Sequence, residues 1–229
     1  MGKRLDRAAR VRKMVRALDP LFGGEAWARR RRRSDPLDTL IRAILSQNTN
    51  DDNRDQAYRA LKERFPTWEM VLKAGIDDLK ETIRVAGLAN QKGPTIQAVL
   101  SWLQLERGEL ELDFLCELPE EEAVEILTSH KGVGIKTAYI VLAFACGKDL
   151  CAVDTHVHRI LRRMGVVDER CGREKAHIEL AVLIPKGKAR SFHVNLIDFG
   201  KTICTARKPD CKVCPLRRQC QYFNETQGA

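Results

Sequence analysis

The stretch "EEEAVEILTSHKGVGIKTAYIVLAFACG", residues 120–147, decides how the rest of this 229-residue chain is read. An amphipathic segment ends near Ser129, a Gly132-Val133-Gly134 turn follows, and a strongly apolar helix is predicted to begin near Ile135. Glycine tolerates backbone angles that other residues resist and lets the chain come close to a ligand. The first N–H groups of a helix have no partner within it, so this turn leaves donors pointing outward at the positive end of the helix dipole. That is an anion site, and a phosphate suits it. Taken by itself, the Gly-Val-Gly turn describes an ordinary αα-hairpin equally well.

Helical periodicity extends outward from this stretch. Leu37, Leu40, Ile41, Ile44 and Leu45 form an i, i+3, i+4, i+7, i+8 stripe, with Asp35 placed to cap the helix and Pro36 at its first position. Ile96, Val99, Leu100 and Leu103 repeat the pattern. Pro66, Gly75, Gly87, Gly93-Pro94, Gly108, Pro119 and Gly147 punctuate the chain at short intervals, and strand alternation is not found. The pattern predicts an all-α protein of many short helices.

Hydrophobic residues make up 44% and charged residues 31%, a globular balance and not a disordered or fibrous one. The longest strongly apolar run, Ala138 to Cys146, is far short of the ~20 residues that span a bilayer, so no membrane segment is expected. The basic N-terminus lacks the apolar stretch and cleavage site of a secretory signal, which predicts a reducing, cytoplasmic location. Disulfides are therefore not the expected use of the eight cysteines.

Residues 1–33 hold 12 Lys/Arg against 3 Asp/Glu, residues 34–200 hold 22 against 26, and residues 201–229 hold 6 against 2. Basic ends around a mildly acidic middle suit a polyanion such as nucleic acid, although solvated surface charge gives the same counts. The run Arg29 to Arg33 reads as phosphate contact or as a solvated linker.

Near the C-terminus, "CTARKPDCKVCPLRRQC" spaces its thiols as Cys204-x6-Cys211-x2-Cys214-x5-Cys220. Four thiolates this close can hold tetrahedral zinc or an iron–sulfur cluster, and ligand chemistry alone does not choose. Only Cys211 and Cys214 form the C-x2-C knuckle that zinc ribbons usually pair. Cys116, Cys146, Cys151 and Cys171 lack ligand spacing and read as packing residues or free thiols.

Gly132-Val133-Gly134-Ile135-Lys136-Thr137-Ala138, then Val153-Asp154-Thr155-His156 at an eighteen-residue step from Lys136 to Asp154, then the four cysteines, resemble in order and spacing the endonuclease III family of helix-hairpin-helix DNA glycosylases. The resemblance implies a two-lobed all-α fold: a six-helix barrel domain at 35–148 containing the hairpin, and an iron–sulfur cluster domain made of 1–34 plus 149–229. It implies a 4Fe-4S cluster on Cys204, Cys211, Cys214 and Cys220, organising a loop that presents Arg207 and Lys208 to DNA. A short tail that cannot build its own core would gain its fold from the metal, and the folded loop its grip on phosphate.

It further implies that Gly132, Val133 and Gly134 bind a phosphate, that Lys136 is an amine nucleophile, and that Asp154 is its carboxylate partner across a DNA-holding cleft. A free lysine titrates near about 10.4, so a nucleophilic one needs its charged form disfavoured, which a first-turn position promotes. Asp154 also reads as a simple N-cap, and capping is compatible with stabilising an oxocarbenium-like transition state. Gln47 corresponds to the family's gap-filling glutamine and Leu88 to its wedge, since a base must leave the stack before its sugar can be reached. Read without the resemblance, Gln47 is a helix-end polar residue and Leu88 half-buried core. His156 and His158 are given no chemistry.

The implied function is a bifunctional DNA glycosylase/AP lyase of base excision repair. It would excise an oxidised pyrimidine and cut by β-elimination, as a monomer on double-stranded DNA containing a damaged base or abasic site. The alternatives are a uracil or mismatched-thymine glycosylase of the same fold, and a non-catalytic DNA-binding protein. The chain departs from the family pattern at His130-Lys131, where Leu-Pro is usual, offering polar groups to a further phosphate, and at Ala89, where an aromatic is frequent, and Asn50, where aspartate is frequent, both near the expected lesion pocket or opposite strand.

Overall fold

A computed structural model describes residues 2–30 and 34–226, apart from the side chains of residues 2–6, 27, 29 and 30. Residues 31–33 of the arginine run thus lie outside the described residues. Among the described residues every regular element is a helix: α1 (Gly2–Phe22), α2 (Gly24–Arg30), α3 (Pro36–Leu45), α4 (Asp51–Arg64), α5 (Trp68–Lys73), α6 (Ile76–Thr82), α7 (Ala89–Arg107), α8 (Phe114–Glu117), α9 (Glu120–Thr128), α10 (Ile135–Phe144), α11 (Thr155–Arg163), α12 (Arg173–Ala181), α13 (Ala189–Thr202) and α14 (Gln221–Thr226). Short 3₁₀ turns stand at Arg84–Ala86 and Arg217–Gln219. No helix among the described residues is long and apolar enough to cross a membrane. The chain divides into two compact units, Arg33–Lys148 and Met1–Arg32 with Asp149–Ala229.

In the unit Arg33–Lys148, α3 starts as its sequence dictates. The Asp35 carboxylate accepts the Asp38 N–H at 2.6 Å and Pro36 opens the helix. The stripe Leu37, Leu40, Ile41, Ile44 and Leu45 is buried, each side chain contributing about 1.5–3 kcal/mol relative to exposure. This stripe packs α3 along the apolar α10, which also packs on α9. Ile96, Val99, Leu100 and Leu103 bury the inner face of α7 in the same unit.

Two expectations are corrected here. Cys116 and Cys146 are joined in a disulfide, with an S–S distance of 2.11 Å and Cα atoms 4.7 Å apart. They are neither free thiols nor mere packing residues, because the turn after α10 brings Cys146 back against α8. His130 does not reach outward: its ring packs on Trp102 with centroids 4.4 Å apart, and its Nε2 is buried without a hydrogen bond. Burial lowers its pKa, favouring the neutral imidazole that an aromatic wall accommodates.

The other unit is built around α13, which packs against α1, α2 and α11. Val11, Met14 and Leu18 of α1, Ile160 and Leu161 of α11, and Phe192, Leu196 and Phe199 of α13 share its core. Buried Asn195 donates to Asp19 at 3.1 Å and accepts the Gly24 N–H at 2.9 Å, pinning the start of α2. A Cβ on Gly24 would stand 2.5 Å from the Ser191 carbonyl, so only glycine fits there.

Candidate active site

The hairpin forms where its sequence places it. The Ser129 N–H bonds to Glu125 O at the end of α9, Val133 N–H bonds to His130 O, and Gly134 is the residue before α10. Gly132 has φ 92°, and a Cβ there would meet Thr95 Oγ1 at 2.4 Å, so the position requires glycine on both counts. Val133 is buried as the turn's apolar anchor, while Gly134 is exposed and no side chain caps the first N–H groups of α10. Lys136 is the second residue of α10, half-buried.

Gln47 belongs to the same cluster. Its Nε2 donates to the Gly132 carbonyl at 2.9 Å, so its amide braces the hairpin. The next residue, Asn48, went unremarked in the sequence. It is exposed with φ 52°, a conformation non-glycine residues seldom adopt. Among the described residues the other non-glycine position at positive φ is Leu88, also at 52° and 43% exposed, just before α7. Asn50 caps α4 by accepting the Asn53 N–H at 2.8 Å, and Ala89 opens α7.

On the other unit, Asp154 is the N-cap of α11, its Oδ1 accepting the Val157 N–H at 2.8 Å. Two buried histidines that sequence reasoning missed hold the strand-like residues before it. His177 Nδ1 donates to Arg173 O at 2.7 Å, which leaves Nε2 to accept the Val153 N–H at 2.8 Å. His193 Nδ1 donates to the Ala152 carbonyl at 2.9 Å. His156 and His158 are engaged structurally, with Arg159 and the Cys171 carbonyl respectively.

From the middle of α11, Arg159 donates to Gly200 O at 2.9 Å and to Cys204 O at 2.9 and 3.1 Å. Arg163 reaches Thr205 O at 2.7 Å, Ala206 O at 2.9 Å and Cys204 Sγ at 3.3 Å. These bonds shape the loop on which Arg207 and Lys208 stand exposed. Arg159 and Arg163 lie one turn apart on a basic helix, and nothing in the sequence separates such a pair from a phosphate-binding face.

Cys204, Cys211, Cys214 and Cys220 line one cavity, walled by Ile160, Met164, Phe199 and Tyr222. Burial, and then the neighbouring thiols, push the Cys214 thiol up to about 11, and Cys211 and Cys220 are raised for the same reasons. Thiols crowded this way ionise readily only beside strong positive charge, which is the chemistry of a thiolate metal site. Among the described residues no three metal-binding side chains close on a single ion. Zinc needs its sulfurs at about 2.3 Å from one centre, whereas a cluster spreads its thiolates around a larger core. Four cysteines lining one cavity are a donor set that fits a thiolate-held metal ion or cluster.

Residues 41–186, which span the hairpin and Asp154, match the family described as HhH-GPD superfamily base excision DNA repair protein. The chain belongs to the HhH-GPD superfamily. Among its relatives, endonuclease III of Thermotoga maritima is 34% identical over 197 residues, covering 86% of this chain and 88% of that one. Endonuclease III of Rickettsia felis is 35% identical over 185 residues, covering 81% and 82%. A relative in Arabidopsis thaliana named as a DNA glycosylase is 38% identical over 190 residues, and the match spans 79% of this chain but only 64% of that longer protein. Of solved structures, a non-covalent endonuclease III–DNA complex superposes with a TM-score of 0.81 at 25% identity, covering 97% of this chain and 99% of that one. A thermostable thymine-DNA glycosylase superposes at 0.75 and 26% identity, covering 96% and 97%. The HhH-GPD match thus covers the parts of both units that carry Lys136 and Asp154.

Proposed function

We propose that this base excision DNA repair protein is a bifunctional DNA glycosylase/AP lyase, acting as a monomer on double-stranded DNA to remove an oxidised pyrimidine. The observation that carries this reading is a lysine, Lys136, in the first turn of a helix whose uncapped N-terminus follows a tight glycine turn. The outward N–H groups of that turn suit a DNA phosphate, and the phosphate places the adjacent amine beside a sugar. The neutral amine of Lys136 forms a bond to C1′, and the glycosidic bond breaks with its electron pair leaving on the base, which takes up a proton. Opening of the sugar ring gives a Schiff base. Loss of a C2′ proton then expels the 3′ phosphate, breaking the C3′–O bond. Asp154 serves the same nucleotide, its carboxylate stabilising positive charge on the sugar and moving the protons.

Cys204, Cys211, Cys214 and Cys220 hold a 4Fe-4S cluster in this reading. When bound, it supplies positive charge to four crowded thiolates and ties off the loop bearing Arg207 and Lys208. The endonuclease III relatives and the solved complex of that enzyme with DNA support the assignment.

Borohydride trapping tests it. Wild-type protein is expected to become covalently attached to lesion-bearing duplex, and Lys136→Ala to lose the adduct entirely. Equal trapping of both proteins removes Lys136 from the chemistry. The likeness to a thymine-DNA glycosylase, with Asn50 in place of the aspartate frequent in oxidised-pyrimidine enzymes, favours a second reading on uracil or mismatched thymine. A panel of duplexes carrying thymine glycol, uracil or a G·T mismatch separates the two. Absence of any strand cleavage at an abasic site would instead mark a non-catalytic DNA-binding protein.

A further inference from the structure

Lys92 is 1% exposed, and among the described residues no carboxylate accompanies it. Its Nζ donates to the Leu45 carbonyl at 2.7 Å and to the Ala86 carbonyl at 2.8 Å. Its backbone N–H donates to the Leu88 carbonyl at 2.9 Å. Leu45 is the last residue of α3, and Ala86 is the last residue of the 3₁₀ turn before α7. Both carbonyls are C-terminal acceptors left over by their helical turns, and a cation is the partner such ends favour. Burying an ammonium without a counter-ion is unfavourable, so a side chain placed this way marks a junction held for a purpose beyond packing.

The two carbonyls stand just before two exposed residues in left-handed backbone, Asn48 and Leu88. Backbone strain at such positions persists only when the surroundings over-determine it. We propose that Lys92 is a positioning residue that ties the end of α3 to the Arg84–Ala86 turn and so sets, as one rigid pair, the tips carrying Asn48 and Leu88. On the resemblance that makes Gln47 a gap-filling residue and Leu88 a wedge, and on the proposed function, on which the DNA part of this inference rests, these tips enter the duplex where the nucleotide is extruded. Burial pushes the Lys92 ammonium down to about 8, in keeping with a group held by carbonyl oxygens alone.

Lys92→Met keeps the side-chain volume and removes the donors, and Lys92→Arg keeps a cation able to reach both carbonyls. Amide hydrogen exchange without DNA reads the tie directly. Lys92→Met is expected to speed exchange at least tenfold in residues 46–49 and 86–91 together, with α10 changed less than twofold and Lys92→Arg recovering part of the protection. Acceleration in one segment alone, in neither, or evenly across the unit overturns the proposal.

On DNA, single-turnover excision from a lesion-bearing duplex is expected to fall at least tenfold in Lys92→Met. Cleavage of a preformed abasic site in single-stranded DNA, which has no stack to enter, stays within twofold. Leu88→Ala added to Lys92→Met should cost little more. Equal loss on both substrates reassigns Lys92 to general stability. Inactivity of the wild type on every DNA substrate fails the functional reading, while the exchange result still decides the tie.

Discussion

Gly132 shows what one residue does for the hairpin. Its φ of 92° and the 2.4 Å approach of Thr95 Oγ1 to any Cβ there leave room only for a hydrogen. Gly132→Ala is expected to destabilise the protein by about 2–3 kcal/mol, since strain of this kind costs about 1–3 kcal/mol before the clash is counted. A lowered urea midpoint at unchanged slope would register it. The requirement for glycine was legible in the turn itself. The role of Lys92 was not: its place four residues before Ile96 puts it on the buried stripe of α7, but nothing local says that the Leu45 and Ala86 carbonyls will close around a charged residue there. Its pKa of about 8 in the folded chain, against about 10.4 unfolded, means the unfolded state binds more protons between those values. Stability should therefore rise as pH increases through that window, and Lys92→Met should flatten the rise in denaturation measured from pH 7.5 to 10.

At the scale of elements, α9, the hairpin and α10 lie inside the covalent ring closed by Cys116 and Cys146. Two cysteines thirty residues apart carry no spacing signal, so the pairing was invisible until the turn after α10 set them side by side. Reducing this bond should lower stability by about 3–4 kcal/mol, the loop-closure value for a ring of this size, and Cys116→Ser should reproduce the loss without reductant. Urea titration with and without reductant checks both. His130 was misjudged for a related reason: its partner is Trp102, on α7, and a sequence does not announce which ring another ring will meet. Periodicity, by contrast, gave the α3 stripe and its Asp35-Pro36 start in full, because local sequence decides both. The His177 bond to Val153 N–H makes a separate prediction. His177→Leu leaves that donor unpaired at a cost of about 1–3 kcal/mol and should impair cleavage beyond what the stability loss explains, because Asp154 is the next residue along.

For the whole molecule, all-helical character, the hairpin and the cysteine spacing were readable because each is written in contiguous residues, and the family match over residues 41–186 agrees with the first two. The bonds that fix functional groups in place were not, since Arg159, Arg163, His177 and Lys92 act on backbone carbonyls or amides distant in sequence. Charge at the loop of Arg207 and Lys208 yields a prediction for the intact protein on duplex DNA. Replacing both with alanine should lower the slope of log affinity against log salt by about 2, one for each phosphate no longer neutralised. Fluorescence anisotropy across a salt series reads that slope.

One helix links the cysteine-bearing tail to Asp154. α11 carries Asp154 at one end, Arg159 about 8 Å along and Arg163 about 13 Å away at the other end, at 1.5 Å per residue, and these two guanidiniums clasp the Cys204 loop. A rod of two and a half turns transmits tilt with little bending. On the proposed function, oxidative damage to the thiols would therefore shift the Asp154 carboxylate as well as the loop that carries Arg207 and Lys208.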